Sequence, residues 1–115
     1  MSIEVYGIAN CDTVRKARKW LDAMGIAYTF HDYKKEGADT NRLAAWTQAA
    51  GWEKLLNRAG TTFRKLPDTA KDGLDAAKAI ALMAANPSCI KRPVVEYPGG
   101  LLVGFREPDW AAALG

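Results

Sequence analysis

Cysteine is the residue type with the widest chemistry in this chain, and it occurs twice, as Cys11 and Cys89. Cys11 follows a short apolar segment and precedes an amphipathic one, so we expect it between a strand and the N-terminus of a helix. Backbone N–H groups and the helix dipole favour negative charge at such a position. Because the thiolate is the nucleophilic form of cysteine, this placement predicts a reactive thiol.

The neighbours of Cys11 act on its ionisation in opposite directions. Arg15 and Lys16 follow within one helical turn and would favour the thiolate, whereas Asp12 would raise the thiol pKa if its carboxylate faced the sulfur. We expect Asp12 to turn back and cap the helix instead. The alternative is that Cys11 is a small buried side chain, a common fate of a lone cysteine.

A local disulfide is excluded, because Val14 stands three positions after Cys11, where a two-cysteine redox motif has its second thiol. An oxidised or substituted Cys11 therefore needs a thiol from elsewhere, and glutathione or a protein thiol is the expected supply. Cys89 is the internal alternative, although a structural role at the end of a helix is the simpler interpretation.

Arginines are the candidates for holding an anion near this thiol. Arg92-Pro93 enters a predicted strand, and a cis bond there would leave the adjacent backbone open to an extended substrate, with Arg92 as an anion clamp. Arg64 and Arg106 are further candidates for the same cluster, with a surface position as the alternative for each. His31 is a candidate general base, but a structural histidine is the simpler interpretation.

Composition narrows the class of protein. The chain has 115 residues, of which 49% are hydrophobic and 25% charged, which suits one globular domain. A net charge of +3 without a dense basic stripe argues against a nucleic-acid partner. No Cys/His spacing matches a zinc site, and no apolar run is long enough for a bilayer. Without a signal peptide, we expect a cytoplasmic monomer.

Apolar periodicity predicts the elements that position Cys11. Residues 3–8 read as a strand, and Asp12 or Thr13 caps the helix that follows and ends at Gly25. Its apolar face has positions three and four apart, namely Val14, Ala17, Leu21 and Met24. Residues 27–31 read as a second strand, so this opening has the size of a right-handed crossover with parallel strands.

The rest of the chain is predicted to be helical and then a hairpin. A helix capped by Thr40 ends at Gly51, residues 52–56 form a short turn, and residues 61–66 are irregular. Pro67 opens a short helix, and another runs from Asp75 to Pro87. Strands at residues 94–97 and 101–105 form a hairpin through Pro98-Gly99-Gly100, and Pro108 opens the last helix.

This order of elements predicts an α/β fold, namely a thioredoxin-like mixed four-stranded sheet with a helical insertion between the second and third strands. The sheet-forming core would comprise residues 1–35 and 88–115, and the insertion residues 36–87. A doubly wound nucleotide-binding fold would need more parallel units and a Gly-rich first turn.

Blocks of sequence along nearly the whole chain resemble the ArsC/Spx-like family of arsenate-reductase-related proteins. They begin with YGIANCDT at residues 6–13 and RKA at 15–17, and continue at residues 30–34, 56–58, 60–66, 90–93 and 103–105. The most similar branch is that of the YffB-like proteins, described as glutathione-dependent thiol reductases. This resemblance implies a thioredoxin-like domain, a thiolate at Cys11 and a cis bond before Pro93.

The resemblance also implies how the arginines act. In the family's arsenate reductases the cysteine attacks arsenate, arginines hold the oxyanion, and glutathione with glutaredoxin resolves the adduct. Arg92 matches the arginine before the cis-proline, and Arg106 falls near a third family arginine. The middle arginine does not map cleanly, because Asn57 stands at its place with Arg58 one step on, and Arg64 belongs to the branch's own block.

We therefore predict a glutathione-dependent thiol reductase without a bound cofactor or metal, with Cys11 and Arg92 as catalytic residues. Glutathione is the expected co-substrate, glutaredoxin a further partner, and the substrate a small oxidised molecule or oxyanion. Contacts to substrate or glutathione are expected from Arg64, Arg106, Pro93, Arg15 and Asn10. The alternatives are an arsenate reductase and a non-catalytic Spx-like regulator that binds RNA polymerase; Val14 removes the two-cysteine switch of some such regulators.

Overall fold

A computed structural model describes residues 3–115 of the chain. The first elements are β1 (Glu4–Gly7), α1 (Asp12–Ala23) and β2 (Thr29–Asp32). β1 and β2 pair in parallel, with Val5 opposite Phe30. The predicted strand–helix–strand crossover is therefore confirmed, with its second strand displaced towards Asp32.

The end of the chain completes a four-stranded sheet. It contains β3 (Val94–Tyr97), β4 (Gly100–Val103) and α8 (Glu107–Leu114). The strand order is β2-β1-β3-β4, and β3 is antiparallel to both of its neighbours. This is the predicted thioredoxin-like mixed sheet.

The core of the sheet lies on the face covered by α1 and α8. Val5 and Val95 are cross-strand partners on this face, and they pack with Ala17 and Leu21 of α1 and with Trp110 of α8, all fully buried. The Trp110 indole N–H donates to the Gly104 carbonyl at 3.0 Å, so its polar atom is satisfied inside the core.

The chain between β2 and β3 is mostly helical. Its helices are α2 (Tyr33–Glu36), α3 (Thr40–Ala50), α4 (Trp52–Leu55), α5 (Thr61–Arg64), α6 (Asp68–Lys71), α7 (Ala76–Ala85) and a 3-10 helix at Pro87–Cys89. The chain divides into two compact units. The sheet unit combines the segment that ends at Glu36 with Arg92–Gly115, and the helical unit is Gly37–Lys91.

The helical unit has an interior of its own. α3 packs against α7 and α4, and a single antiparallel bridge joins Leu56 to Ile90. The Asn57 N–H donates to the Cys89 carbonyl at 2.7 Å, beside this bridge. These contacts tie the end of α4 to the segment that leads into Arg92.

Several local predictions were wrong. The cap of α3 is Asp39, whose carboxylate accepts from Asn41 N–H at 3.0 Å, and not Thr40. Residues 61–66 contain the single turn α5, which is too short for a periodic pattern to reveal. Met24 was expected on the buried face of α1 but is 50% exposed, because the helix ends at Ala23. Within residues 3–115, none of the helices has the length and apolar character needed to cross a bilayer.

Candidate active site

Cys11 lies at the point where α1 begins. It is the N-cap residue, with extended backbone angles (φ −111°, ψ 130°), and its carbonyl accepts the Arg15 N–H at 2.9 Å. The prediction that Asp12 or Thr13 would cap this helix was wrong, since α1 starts at Asp12 itself. The cysteine therefore lies at the end of the helix where the first backbone N–H groups have no partner within the helix.

Ionisation of the Cys11 thiol is governed by opposing effects. Partial burial opposes the thiolate and by itself raises the pKa, but the N–H of Val14, the guanidinium of Arg92 and the N–H of Thr13 together outweigh it. The resulting pKa lies below that of an ordinary cysteine. The Cys11 side chain makes no capping hydrogen bond, but the amides of Thr13 and Val14 at the start of α1 favour its thiolate form.

Arg92 is held at the site by the start of β3. The Arg92–Pro93 peptide bond is cis, Pro93 is fully buried, and its carbonyl accepts the Gly104 N–H at 2.8 Å. The guanidinium hydrogen-bonds towards Cys11, and its charge stabilises the thiolate. The cysteine and the Arg-Pro pair, which are 81 positions apart in the sequence, therefore lie together.

Gly7 permits this close approach. A Cβ at Gly7 would lie 2.9 Å from Cγ2 of Val14 and 3.7 Å from Cβ of Arg92. The end of β1, the first turn of α1 and the start of β3 therefore meet at a position where a side chain has no room. Sequence reasoning missed this residue, although a glycine between a strand and a cysteine-capped helix is a signal for such packing.

Arg15 braces the loop on both sides of Cys11. One guanidinium nitrogen pairs with Asp12 Oδ1 at 2.5 Å, and the other donates to Asn10 Oδ1 at 2.6 Å. The Asp12 carboxylate is therefore engaged by a cation. Asn10 and Arg15 were predicted to bind substrate, and in this structure each has the other as a partner.

The remaining predicted arginines have other surroundings. Arg106 is the N-cap residue of α8, is 79% exposed, and lies 3.7 Å from the Asp109 carboxylate. Arg64 ends α5 within the helical unit and is exposed. Their roles stay predictions. Cys89 is 1% exposed at the end of the 3-10 helix, which fits the structural interpretation.

His31 is fully engaged by its neighbours. Its ring stacks on Tyr6 at 4.5 Å between centroids, and its two nitrogens lie 3.0 Å from Glu36 Oε1 and 3.2 Å from Glu4 Oε1. Burial lowers the His31 pKa, but hydrogen bonds and charge from Glu36 and Glu4 outweigh it and raise the pKa overall. These contacts favour the structural interpretation over a general base.

Comparison with known proteins places this site in a family. The model of the ArsC family matches residues 6–113. The chain belongs to the ArsC family. An uncharacterized protein of Haemophilus influenzae is 44% identical over 96% of this chain and 97% of its own length. Within the described residues 3–115, no cluster of three or more His, Cys, Asp or Glu side chains suited to a metal ion is present.

Solved structures agree with the family and the fold. A structure named YFFB protein is 55% identical, with a TM-score of 0.97, and the match covers 99% of this chain and 100% of that one. An arsenate reductase (ArsC) related protein from Brucella melitensis is 56% identical, with a TM-score of 0.77, over 97% of this chain and 93% of that one.

This ArsC family member also has relatives that are regulators. Global transcriptional regulator Spx 2 of Oceanobacillus iheyensis is 27% identical over 95% of this chain and 81% of its own length. The family thus joins arsenate-reductase-related proteins, which suggest thiol oxidoreductase chemistry, with transcriptional regulators.

Proposed function

We propose that this ArsC family protein is a glutathione-dependent thiol reductase with Cys11 as its single nucleophile. The observation that carries the proposal is the position of Cys11 at the start of α1, where two backbone amides and Arg92 lower its pKa. A lowered pKa raises the thiolate fraction near neutral pH, and thiolate is the attacking species in disulfide exchange.

The reaction proceeds through two disulfides at Cys11. Its thiolate attacks one sulfur of an oxidised substrate, the S–S bond breaks, and the leaving sulfur departs as a thiolate. Glutathione thiolate then attacks Cys11 Sγ, releasing the second substrate sulfur, and a second glutathione regenerates Cys11. The substrate disulfide gains two electrons and two protons, and two glutathione molecules become one glutathione disulfide.

Residues around Cys11 support this chemistry in different ways. The Arg92 guanidinium stabilises the attacking thiolate and can hold an anionic group of the substrate beside it. Pro93 is fully buried and its carbonyl accepts the Gly104 N–H, so its proposed role is to position Arg92. Arg15 and Asn10 shape the loop that presents the sulfur. Arg106 is proposed to contact a glutathione carboxylate.

Intact mass after incubation with oxidised glutathione tests the proposal. The reduced wild type should gain one glutathione, Cys11→Ser should gain none, and Cys89→Ser should behave as wild type, because Cys89 is buried. The matched pair of single-cysteine variants identifies the reacting sulfur. An adduct carried mainly by Cys89, or a Cys11 rate no faster than that of a free thiol, would remove the proposal.

Arsenate reduction is the second candidate for the same site. It is favoured by a thiolate beside a guanidinium, a pair that suits an oxyanion, and by the 56% identity to a protein named as arsenate reductase related. One arsenate would consume two glutathione molecules and give arsenite, water and glutathione disulfide. Arsenate-dependent glutathione oxidation with added glutaredoxin, abolished in Arg92→Ala, is the expected result; no turnover in the wild type discards it.

A regulator that binds RNA polymerase is the third candidate, and the Spx relatives favour it. The buried side chain of Val14 occupies the place of a second cysteine, so a local disulfide switch is impossible at this site. Recovery of polymerase subunits on immobilised Cys11→Ser protein would support binding without catalysis. Failure to recover any subunit would eliminate this role.

A further inference from the structure

A second feature of the sheet unit lies beside residues 8–11, which we call the cysteine loop. The side of α1 that faces Tyr28 forms an open groove of about 530 Å³, which we call the α1 groove. Its charged lining comprises Asp12, Arg15, Lys16, Arg18, Lys19 and Asp22. Four of these six side chains are cationic, so the groove has a positive balance.

Arg18 forms the fixed centre of this charge. Its Nε donates to the Tyr28 hydroxyl at 3.1 Å, and its guanidinium carbon lies 4.2 Å from the centroid of the Phe30 ring. A cation held over an aromatic ring loses less rotational freedom when it binds a ligand than an unrestrained side chain does. The α1 groove therefore offers one preorganised cation.

Asp12 and Asp22 neutralise only part of the positive charge of the groove. Asp12 already pairs with Arg15 at 2.5 Å. Lys16 and Lys19 are exposed, and they form no ion pair within residues 3–115. In the lining of the groove Asp12 is paired with Arg15, and Asp22 is the second carboxylate against Lys16, Arg18 and Lys19, so the groove keeps a net positive charge and an acidic ligand is the complementary partner.

The length of the groove favours a peptide over a small anion. From Asp12 to Asp22, α1 rises by about 15 Å at ~1.5 Å per residue. An extended peptide covers this length with four or five residues at ~3.3 Å each. Glutathione, a tripeptide, is too short to span from the cysteine loop to the far end.

One end of the groove lies at the start of α1, next to Cys11 in sequence. Asp12, which directly follows Cys11, and Arg15 line this end of the groove, and Arg15 bonds to Asp12 and to Asn10 on either side of Cys11. We propose that the α1 groove docks an acidic segment of a protein whose sulfur exchanges with Cys11. This inference rests on the proposed thiol chemistry of Cys11 and adds the class of partner, an acidic protein segment.

Docking can be tested separately from thiol exchange. The probe is a fluorescein-labelled peptide of about six residues with glutamate at most positions, measured by anisotropy on the Cys11→Ser protein at low salt. Lys16→Glu with Lys19→Glu should weaken binding about tenfold or more, or ~1.4 kcal/mol. The charge-matched control, Lys34→Glu with Lys35→Glu, changes exposed lysines that do not line the groove, and should have less than about a twofold effect.

A kinetic arm links docking to exchange. Each peptide carries a cysteine joined to thionitrobenzoate; the Cys11 thiolate attacks the peptide sulfur, the S–S bond breaks, and thionitrobenzoate leaves as a coloured thiolate. The glutamate peptide should react about tenfold faster than a glutamine peptide, and the Lys16→Glu, Lys19→Glu protein should lose that preference.

The outcomes separate the two proposals. Equal weakening by the groove and control pairs, or equal rates for both peptides with a reactive Cys11, would overturn the docking proposal and leave the thiol chemistry standing. Selective binding to the Cys11→Ser protein with an unreactive Cys11 in the wild type would support docking of an acidic segment, but would overturn both the exchange with Cys11 and the proposed reductase.

Discussion

At the scale of single residues, ionisation of Cys11 depends on groups of two kinds. The amides of Thr13 and Val14 belong to the backbone, so side-chain substitution leaves them in place. The Arg92 guanidinium can be changed, and it acts through both a hydrogen bond and its charge. Substitution of Arg92 therefore separates the contribution of the arginine to the Cys11 pKa from that of the helix amides.

Replacement of Arg92 should raise the Cys11 pKa. In Arg92→Gln the charge and the guanidinium hydrogen bond are lost, so we expect the Cys11 pKa to rise and alkylation near neutral pH to become slower. The Cys11 pKa is obtained as the midpoint of the pH dependence of the rate of reaction with iodoacetamide. Arg92→Lys keeps the positive charge, so its Cys11 pKa should fall between those of the wild type and Arg92→Gln. An unchanged midpoint in a folded Arg92→Gln protein would show that the amides alone set the pKa.

Substitution of Arg15 tests its role in holding Asp12 and Asn10 on either side of Cys11. In Arg15→Gln the Asp12 carboxylate loses its partner and is released next to the sulfur, so thiolate reactivity should fall about two- to threefold, as expected for an exposed pair. In an Asp12→Asn background the same change should have almost no effect, because no carboxylate remains. Equal losses in both backgrounds would assign Arg15 a role other than holding Asp12.

At the scale of elements, the junction of β1 with α1 depends on the missing side chain of Gly7. Gly7→Ala places a Cβ 2.9 Å from Cγ2 of Val14, and we expect a loss of about 1–3 kcal/mol in the free energy of unfolding, measured in urea. Val14→Ala removes the contacted methyl groups. The double variant should therefore be more stable than the sum of the single losses predicts, and strict additivity would argue against this clash.

His31 connects β2 to β1 and α2 through Glu4 and Glu36. Its folded pKa is raised, so its charged form contributes stability below the unfolded pKa of about 6.5, and the contribution is lost as pH rises through the folded value. The difference in free energy of unfolding between wild type and His31→Gln should be largest near pH 6 and shrink towards pH 9. A difference independent of pH would contradict this assignment.

The sequence predicted elements well where they are long or chemically distinct. α1 follows from Val14, Ala17 and Leu21, which are all fully buried. Four-residue helices such as α2 and α5 were missed, because one turn has no period to detect and is held by tertiary packing. The start of α1 was misassigned because the backbone at Cys11 takes the capping conformation without a side-chain capping bond.

At the scale of the whole molecule, the site combines segments far apart in sequence. Cys11 was predicted as the reacting residue from its local context, since a cysteine before an amphipathic helix has a physical reason to ionise. Its meeting with Arg92 was implied by family resemblance and not by spacing. Gly7 needed three dimensions, because its role is to leave room for Val14. The engagement of Arg15 with Asn10 likewise depends on side-chain directions that no sequence pattern specifies.

The two thiols should report on different levels of the fold. Cys11 is partly exposed in a surface loop, whereas Cys89 is 1% exposed within the helical unit. In native buffer, alkylation of Cys89 must wait for opening of the structure, so we expect it to be slower than Cys11 by a factor of about a hundred or more. In strong denaturant the two should react at similar rates, because both burial and helix-end effects are gone.

Mass spectrometry over time on Cys11→Ser and Cys89→Ser measures each thiol separately. The Cys89 rate in increasing urea should follow the population of opened protein, while the Cys11 rate should fall as its lowered pKa returns to that of an unfolded thiol. These opposite trends arise from one cause, loss of the native fold. If Cys89 reacted in native buffer as fast as Cys11, its burial and the stability of the helical unit around it would both have to be revised.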